Sequence, residues 1–320
     1  MTVQLPWPKE HFPLMLAPMQ GLTNSTLRSF FIDWVHPDVV FTEFMRANPA
    51  DAKQKLSSGD LREISTNNNT VPLVVQLIGH GQEALVAAAE SAQLAGASHI
   101  NLNMGCPYGR MTTGLTGGGM LRCPEELNII IPALRKAISC SFSIKLRSGY
   151  DNPRQIFDLL PLFEASGVDF LVLHPRVVIQ KYSGIADHNI TAEVVQKTRI
   201  PVIANGDIID TASGLEVQQL TGASGLMLGR GAISDPLIFQ RLRGKATAKP
   251  DHSERALMLR YYIEEILVRY RSLFCGDAQI LARMKDILST IDDTGFEKSF
   301  KSMKKAGRVT AFSDALKELS

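Results

Sequence analysis

Ile200-Pro-Val-Ile-Ala-Asn-Gly206 and Gly225-Leu-Met-Leu-Gly-Arg-Gly231 decide how this chain folds. Both are apolar, β-rich runs too short for a helix, and both close on polar residues and glycine. The segment between them has the length of one helix, which is the rhythm of a βα unit. Toward the N-terminus the rhythm recurs in Leu14–Met19, Val39–Phe44, Leu73–Gly79, His99–Gly105, Phe142–Gly149 and Asp169–Arg176. Segments rich in good helix formers separate these runs, among them Gln82–Ala95 and Glu125–Ile138.

Parallel strands in this number close into a barrel or lie in an open sheet. The placement of polar groups decides between the two. Gln20, Glu43, Gln76, Asn103, Lys145 with Arg147, His174 with Arg176, Asn205 and Arg230 stand at or near the ends of their runs. A barrel brings all such ends to one mouth, whereas an open sheet uses mainly the strands at its switch point. The expected fold is an α/β (β/α)8 TIM barrel over residues 1–244. After the charged, proline-containing stretch Arg241–Ser253, no strand signal follows, and Glu254–Phe274, Asp277–Ile291 and Glu297–Leu319 read as three helices. A small C-terminal all-α helical domain is therefore expected over residues 245–320.

Composition sets the outer limits. Of the 320 residues, 45% are apolar and 21% charged, which suits a well-buried globular protein and excludes a disordered or fibrous one. No run approaches the roughly 20 apolar residues of a membrane span, and the N-terminus lacks the basic-then-apolar order of a signal peptide. A cytoplasmic protein with no membrane partner is expected. Cys106, Cys123, Cys140 and Cys275 are scattered and form no CxxC pair, so neither a disulfide framework nor a metal site is expected. The net charge is only +2, but the part from Lys245 onward carries 14 Lys and Arg against 11 Asp and Glu. That asymmetry is compatible with RNA and equally with an ordinary solvated helical face.

Three groups of residues carry chemistry. Gly225–Gly231 and the turn Ala204-Asn-Gly-Asp207 end consecutive strands with glycines that let backbone N–H groups approach a phosphate, and Arg230 adds a charged contact. Loops after the seventh and eighth strands of such barrels commonly bind phosphate. Lys145 and His174 suit a flavin, because a cation beside N1 and O2 stabilises the reduced anionic ring, and the Gln76 amide could read the ring's polar edge. The alternative for Lys145 is a buried ion pair with Glu43. Finally, Cys106 follows the fourth run in Asn101-Leu-Asn-Met-Gly-Cys-Pro107, where a thiol can protonate a carbanion-like carbon while a flavin gives hydride to its neighbour. A lone cysteine is more often an inert buried hydrophobe, but Gly105 and Pro107 suggest a shaped loop here.

In this order, Leu16-Ala-Pro-Met19, Thr42-Glu-Phe44, Gln76-Leu77, Asn103-x-Gly-Cys-Pro107, Ile144-Lys-Leu-Arg147, His174-x-Arg176 followed by Tyr182, Gly184, Ala186 and Asp187, Ala204-Asn-Gly-Asp207 and Gly229-Arg-Gly231 resemble the tRNA-dihydrouridine synthase family. The resemblance spans essentially the whole barrel. It implies tightly bound FMN held by Pro18, Met19, Gln20, Gln76, Lys145, His174, Asn205, Gly206, Asp207, Gly229 and Arg230. It also implies NADPH as reductant, hydride transfer to C6 of uracil and proton transfer to C5 from Cys106. Glu43, Asn103, Arg147 and Arg176 would face the uridine and its phosphate, and the target nucleotide must leave the base stack to reach them. Ala282-Arg-Met-Lys-Asp-Ile-Leu288 is similar to a helix of the bacterial C-type branch that modifies position 16 of the tRNA D-loop, which makes Arg283 and Lys285 RNA contacts. A monomer acting on tRNA is expected.

The chain departs from the family pattern at Tyr108-Gly-Arg110, at Gly117-Gly-Gly-Met-Leu121, and at His188, where the family usually has Trp. Other readings compete. Asn103–Gly109 is also similar to the catalytic loop of dihydropyrimidine dehydrogenases, FMN enzymes of free pyrimidines. Against that stand the helical tail and the lack of cysteine clusters for iron–sulfur centres. A non-catalytic RNA-binding barrel would be colourless and indifferent to Cys106→Ala. A sugar-phosphate barrel enzyme would use Lys145 as a Schiff-base amine.

Overall fold

A computed structural model describes residues 5–49, 51–67, 70–107 and 115–319 of the chain. Eight parallel strands form a closed barrel: β1 (Leu14–Leu16), β2 (Val39–Phe41), β4 (Leu73–Ile78), β5 (His99–Met104), β6 (Ser141–Gly149), β7 (Phe170–Val177), β8 (Val202–Asn205) and β9 (Gly225–Leu228). Each pairs with its neighbours in parallel, β9 returns to β1, and β2 pairs with β4 to complete the ring. β3 (Met45–Arg46) is a two-residue extension on β4. All eight strands lie where the apolar runs place them.

Alternation along each strand explains the ring. Met15, Val39, Phe41, Val74, Phe170, Val172, Ile203 and Met227 form one apolar cluster, closed by Trp7, whose ring meets Phe170 edge-on at 4.9 Å. Continuing the same two-residue period toward the carboxyl ends gives Gln76, Asn103, Lys145, Arg147, His174, Arg176 and Asn205. The barrel is thus apolar low down and polar at its mouth. The alternate residues pack outward with the helices in a second cluster, in which the helix Gln82–Leu94 contributes Leu85, Ala88, Ala89 and Ala92, a single helical face. The helix Pro124–Ala137 shows why such segments start and stop where they do. Proline opens it, Glu125 and Glu126 lie in its first turn, and Arg135 and Lys136 lie in its last, complementing the helix dipole.

The chain divides into two compact units that are not continuous in sequence. The first holds Met1–Pro18, Pro37–Asp207 and Leu215–Leu228, and contains the whole barrel sheet. The second holds Met19–His36, Ile208–Gly214 and Gly229–Ser320. Among its helices, Ser25–Val35 packs against His252–Leu273: Asn24 donates to the Tyr270 hydroxyl at 3.0 Å, and Phe30 stacks on Tyr262. Asp251 and Glu254 form a capping box that starts the 22-residue helix. Asp277–Thr290 follows as expected.

The expected third C-terminal helix is instead two, Glu297–Lys305 and Val309–Lys317. The break at Ala306–Arg308 is held by groups from the preceding helix. Asp277 accepts the Val309 N–H at 2.9 Å, and Lys285 Nζ donates to the Ala306 carbonyl at 3.0 Å. These side chains satisfy backbone groups that an unbroken helix would have paired internally.

Candidate active site

The mouth of the barrel gathers most of the candidate residues of the first unit. Cys106 lies directly beyond β5 and is half-buried. Asn103 fixes the turn that presents it: the Asn103 Oδ1 accepts the N–H of Gly105 at 3.0 Å and of Cys106 at 3.1 Å. The far side of the turn is closed by the short 3-10 helix Gly117–Arg122, whose Gly118 N–H donates to the Cys106 carbonyl. Gly117 has φ +55° and a Cβ there would lie 3.1 Å from the Cys106 Cβ and from Ile78, so only glycine fits without displacing the thiol-bearing residue. The sequence departure at Tyr108–Arg110 lies outside the described residues.

Lys145, on β6, donates to Asn205 Oδ1 at 2.8 Å, and Asn205 in turn donates to the Met227 carbonyl. Asn205 is thus the partner the structure gives Lys145. Burial, then the neighbouring Arg147 guanidinium, brings the Lys145 ammonium down to about 7, with Cys106 opposing the shift. His174 on β7 is buried, and its Nδ1 has no hydrogen-bond partner among the described residues. Burial, reinforced by Lys145, Arg147, Arg176 and His188, pushes its imidazole down to about 2. A neutral histidine therefore sits among cations, its enclosed Nδ1 without a hydrogen-bond partner among the described residues. A buried polar atom without a partner is costly, and so is a half-desolvated ammonium. Both costs fall if an anionic, hydrogen-bonding group occupies the mouth.

The turn after β8 is built for close approach. Gly206 has φ +119°, and a Cβ there would stand 3.1 Å from Ala186 and 3.2 Å from His174. His188, at the position where the family usually has Trp, holds the Gly206 carbonyl through Nε2 at 2.9 Å. Asp207 also has positive φ, +51°, and grips Arg176 with both oxygens.

The two arginines expected to face RNA are already engaged. Arg147 donates Nε to the Gly105 carbonyl and Nη1 to the Val177 and Lys181 carbonyls, and its guanidinium lies 5.2 Å from the Tyr182 ring centre. Arg176 donates to the Ser183 and Gly184 carbonyls as well as to Asp207. Both are 2% exposed. The Gln76 amide is buried and bonded at both ends, to Asn101 and Asn103. Asn101 and Ser143, which join this network, were not singled out by the sequence; their signal is a polar residue on the inward register of a strand.

The other candidates of the first unit follow the carboxyl ends of β1 and β2. Glu43 is half-buried just beyond β2, and Pro18 is half-buried after β1. In the second unit, the Met19 N–H donates to Thr23 Oγ1, Gln20 is exposed, and Arg230, after Gly229, is exposed at the start of the short helix Arg230–Ser234. Arg283 donates to the Gly21 carbonyl at 3.0 Å, while Lys285 serves the Ala306 carbonyl. Among the described residues, no group of three or more His, Cys, Asp or Glu side chains converges as a metal site would, and no helix is long and apolar enough to cross a membrane.

Known proteins resemble the chain in sequence and in fold. It is 33% identical over 284 residues to a probable tRNA-dihydrouridine synthase of Rhodobacter capsulatus, covering 84% of each chain. It is 32% identical over 231 residues to tRNA-dihydrouridine synthase B of Klebsiella pneumoniae, covering 72% of this chain and 71% of the relative. With the tRNA-dihydrouridine(16) synthase of Cupriavidus necator it shares 31% identity over 267 residues, 81% of this chain and 83% of the relative. A solved structure of morphinone reductase in complex with tetrahydroNAD superposes with a TM-score of 0.52 at 13% identity, over 76% of this chain and 90% of that one, a likeness of fold. The family model described as dihydrouridine synthase (Dus) matches residues 15–319, and the chain belongs to that family.

Proposed function

We propose that this protein is a tRNA-dihydrouridine synthase that reduces the C5–C6 bond of a D-loop uridine, with position 16 as the target. The observation that carries the reading is the Cys106 turn, pinned by Asn103 at the mouth that also holds the Lys145 ammonium and the unpartnered His174 nitrogen. Family membership supports the reaction, and the relative named for position 16 supports the site. The similarity to a B-type relative is equally high, so the position rests on the Ala282–Leu288 resemblance.

The residues present fit tightly bound FMN. Lys145 and His174 offer the cation and the donor or acceptor that a flavin ring needs, and the Gly206 turn leaves backbone room that a side chain would fill. Asn205, Asp207 and Gln76 frame the same mouth, while Pro18, Met19, Gln20, Gly229 and Arg230 are carried over from the family resemblance. With NADPH as reductant, bound FMN would supply the hydride that goes to C6 of uracil. Cys106 gives the proton from Sγ to C5, and the thiolate regains a proton from solvent, so one hydride and one proton account for dihydrouridine. The Gly105–Cys106 turn holds the thiol at the mouth, and the base must be turned out of its stack to meet it. Residues 245–320 would carry tRNA binding, with Arg283 and Lys285 among the contacts, in a cytoplasmic monomer.

Mass-spectrometric mapping of dihydrouridine in tRNA from cells with and without this gene tests reaction and position together. Loss of the modification at position 16 alone is expected, with restoration by the wild-type gene and none by Cys106→Ala. An unchanged dihydrouridine map would overturn the reading. Reduction of free uracil by the purified protein, with none of tRNA, would favour the free-pyrimidine alternative.

A further inference from the structure

Beneath the Cys106 turn runs a chain of buried side-chain hydrogen bonds with a fixed direction. Asn103 Nδ2 donates to Gln76 Oε1 at 2.8 Å, Gln76 Nε2 to Asn101 Oδ1 at 2.8 Å, and Asn101 Nδ2 to Ser143 Oγ at 2.8 Å. The Ser143 hydroxyl ends on the Ile100 carbonyl at 3.4 Å. Gln76, Asn101 and Ser143 are 0% exposed and Asn103 is 8% exposed. Strand register explains the juxtaposition, since Gln76 lies opposite Asn101 and Asn101 opposite Ser143, at one level of the barrel.

The direction follows from donor chemistry. Backbone N–H groups only donate, so the Asn103 oxygen must face Gly105 and Cys106 and its nitrogen must face Gln76. That choice forces the Gln76 oxygen toward Asn103 and its nitrogen toward Asn101, which in turn must aim its nitrogen at Ser143. Reversing any amide sets N–H against N–H in a buried site, where an unmade hydrogen bond is most expensive. We propose that Asn101 and Ser143 are positioning residues for the reaction: without touching substrate, they fix the orientation of Gln76 and Asn103 and thereby the turn that presents the Cys106 thiol. Arg147, which holds the Gly105 carbonyl at 3.1 Å, secures the same turn from the other side.

The proposal rests on the dihydrouridine reading, and its test separates the two. In the full-length chain, Asn101→Leu removes both links, whereas Asn101→Asp keeps an acceptor for Gln76 and lets the Ser143 hydroxyl turn to donate to the carboxylate. Four quantities are measured for each: turnover on unmodified tRNA, flavin content, the rate of flavin reduction by NADPH, and the pH profile of iodoacetamide alkylation at Cys106. Alkylation is followed by mass spectrometry on the peptide bearing Cys106, with and without flavin. Asn101→Leu should lower kcat about tenfold or more, the scale of one orphaned buried donor. It should also displace the alkylation profile, and do so in the flavin-free protein as well, where any lost contact between Gln76 and flavin plays no part; any flavin lost should be smaller than the fall in kcat measured at saturating FMN. Asn101→Asp should recover most of the lost turnover. Ser143→Ala, a smaller change, should move kcat and alkylation in the same sense if Asn101→Leu does not fold. An unchanged alkylation profile in Asn101→Leu and Ser143→Ala overturns the proposal. So does an aspartate variant no better than leucine with flavin lost in proportion, since that marks a merely structural role. If wild-type protein makes no dihydrouridine, the functional reading fails, and the alkylation profiles still report on the relay.

Discussion

Arg176 and Asp207 are joined by two parallel hydrogen bonds, Nη1 to Oδ1 at 2.9 Å and Nη2 to Oδ2 at 2.7 Å. The same Oδ2 accepts the Ala186 N–H at 2.8 Å, so one carboxylate ties β7 to the turn after β8 and to the loop that leads to His188. The Arg176 side chain is 2% exposed and that of Asp207 is 32% exposed. Asp207→Asn should therefore destabilise the protein by about 2 kcal/mol, less than a fully buried pair would lose, because solvent screens the aspartate side. Arg176→Lys should also destabilise, since an ammonium cannot reproduce the fork. Urea unfolding measures both, and unchanged midpoints would show that the pair is incidental.

Lys145 gives a prediction about protons. With an ammonium that ionises at about 7, the ligand-free protein carries a largely neutral Lys145 at pH 8 and a charged one at pH 6. An anionic group bound beside it favours the charged form and raises that value. Binding of FMN to apoprotein at pH 8, where its phosphate is already a dianion, should thus take up a proton at Lys145, and that uptake should shrink as pH falls toward 6. Calorimetry in two buffers of different ionisation heat reads the uptake directly. Equal heats in both buffers at pH 8 would mean that Lys145 does not face the bound anion, and Lys145→Met should abolish any difference.

Gly117→Ala is expected to damage activity more than stability. The added methyl would meet the Cys106 Cβ at 3.1 Å, and the residue's φ of +55° is unfavourable for alanine. A cost of about 1–2 kcal/mol follows from the backbone strain alone. The Cys106 turn must also shift by a few tenths of an ångström, which should lower kcat on tRNA while leaving flavin content intact. Full activity in Gly117→Ala would show that the turn tolerates displacement.

Strand period explains why so much of the site was legible. Lys145 and Arg147, or His174 and Arg176, are polar residues two apart at the end of apolar runs, and the barrel carries each to its mouth. Their partners were not legible. Arg147 and Arg176 bind carbonyls between Val177 and Gly184, a loop that shows no periodic signal. Asn101 and Ser143 look like tolerated polar residues until strand register sets them against Gln76. The split at Ala306–Arg308 escaped for a similar reason, because the groups that stabilise it, Asp277 and Lys285, belong to another helix. The helix Ser25–Val35 follows β1 in sequence as any barrel helix would, yet its packing groups it with the C-terminal helices.

Three histidines with lowered values, two buried (His174 and His188) and one half-buried (His99), should make the fold lose stability in acid. Burial lowers His99 to about 4 and, with help from neighbouring cations, His174 to about 2; His188 is also lowered by burial, opposed by its bond to the Gly206 carbonyl. In each case the unfolded chain, ionising near 6.5, binds a proton that the folded chain refuses. The associated stability is fully present above pH 6.5 and is lost as pH falls toward the folded values. Between pH 7.5 and 5, His99 and His174 should each cost about 2 kcal/mol. Glu164, Glu193 and Asp251 also have lowered values, but these carboxylates exchange protons below their ordinary range and contribute little above pH 5. Urea unfolding of the apoprotein at the two pH values should show the loss, and His99→Gln should reduce the slope against pH by about one proton. If His99→Gln leaves that slope unchanged, His99 ionises in the folded chain as freely as in the unfolded one, and its burial at the start of β5 does not govern acid stability.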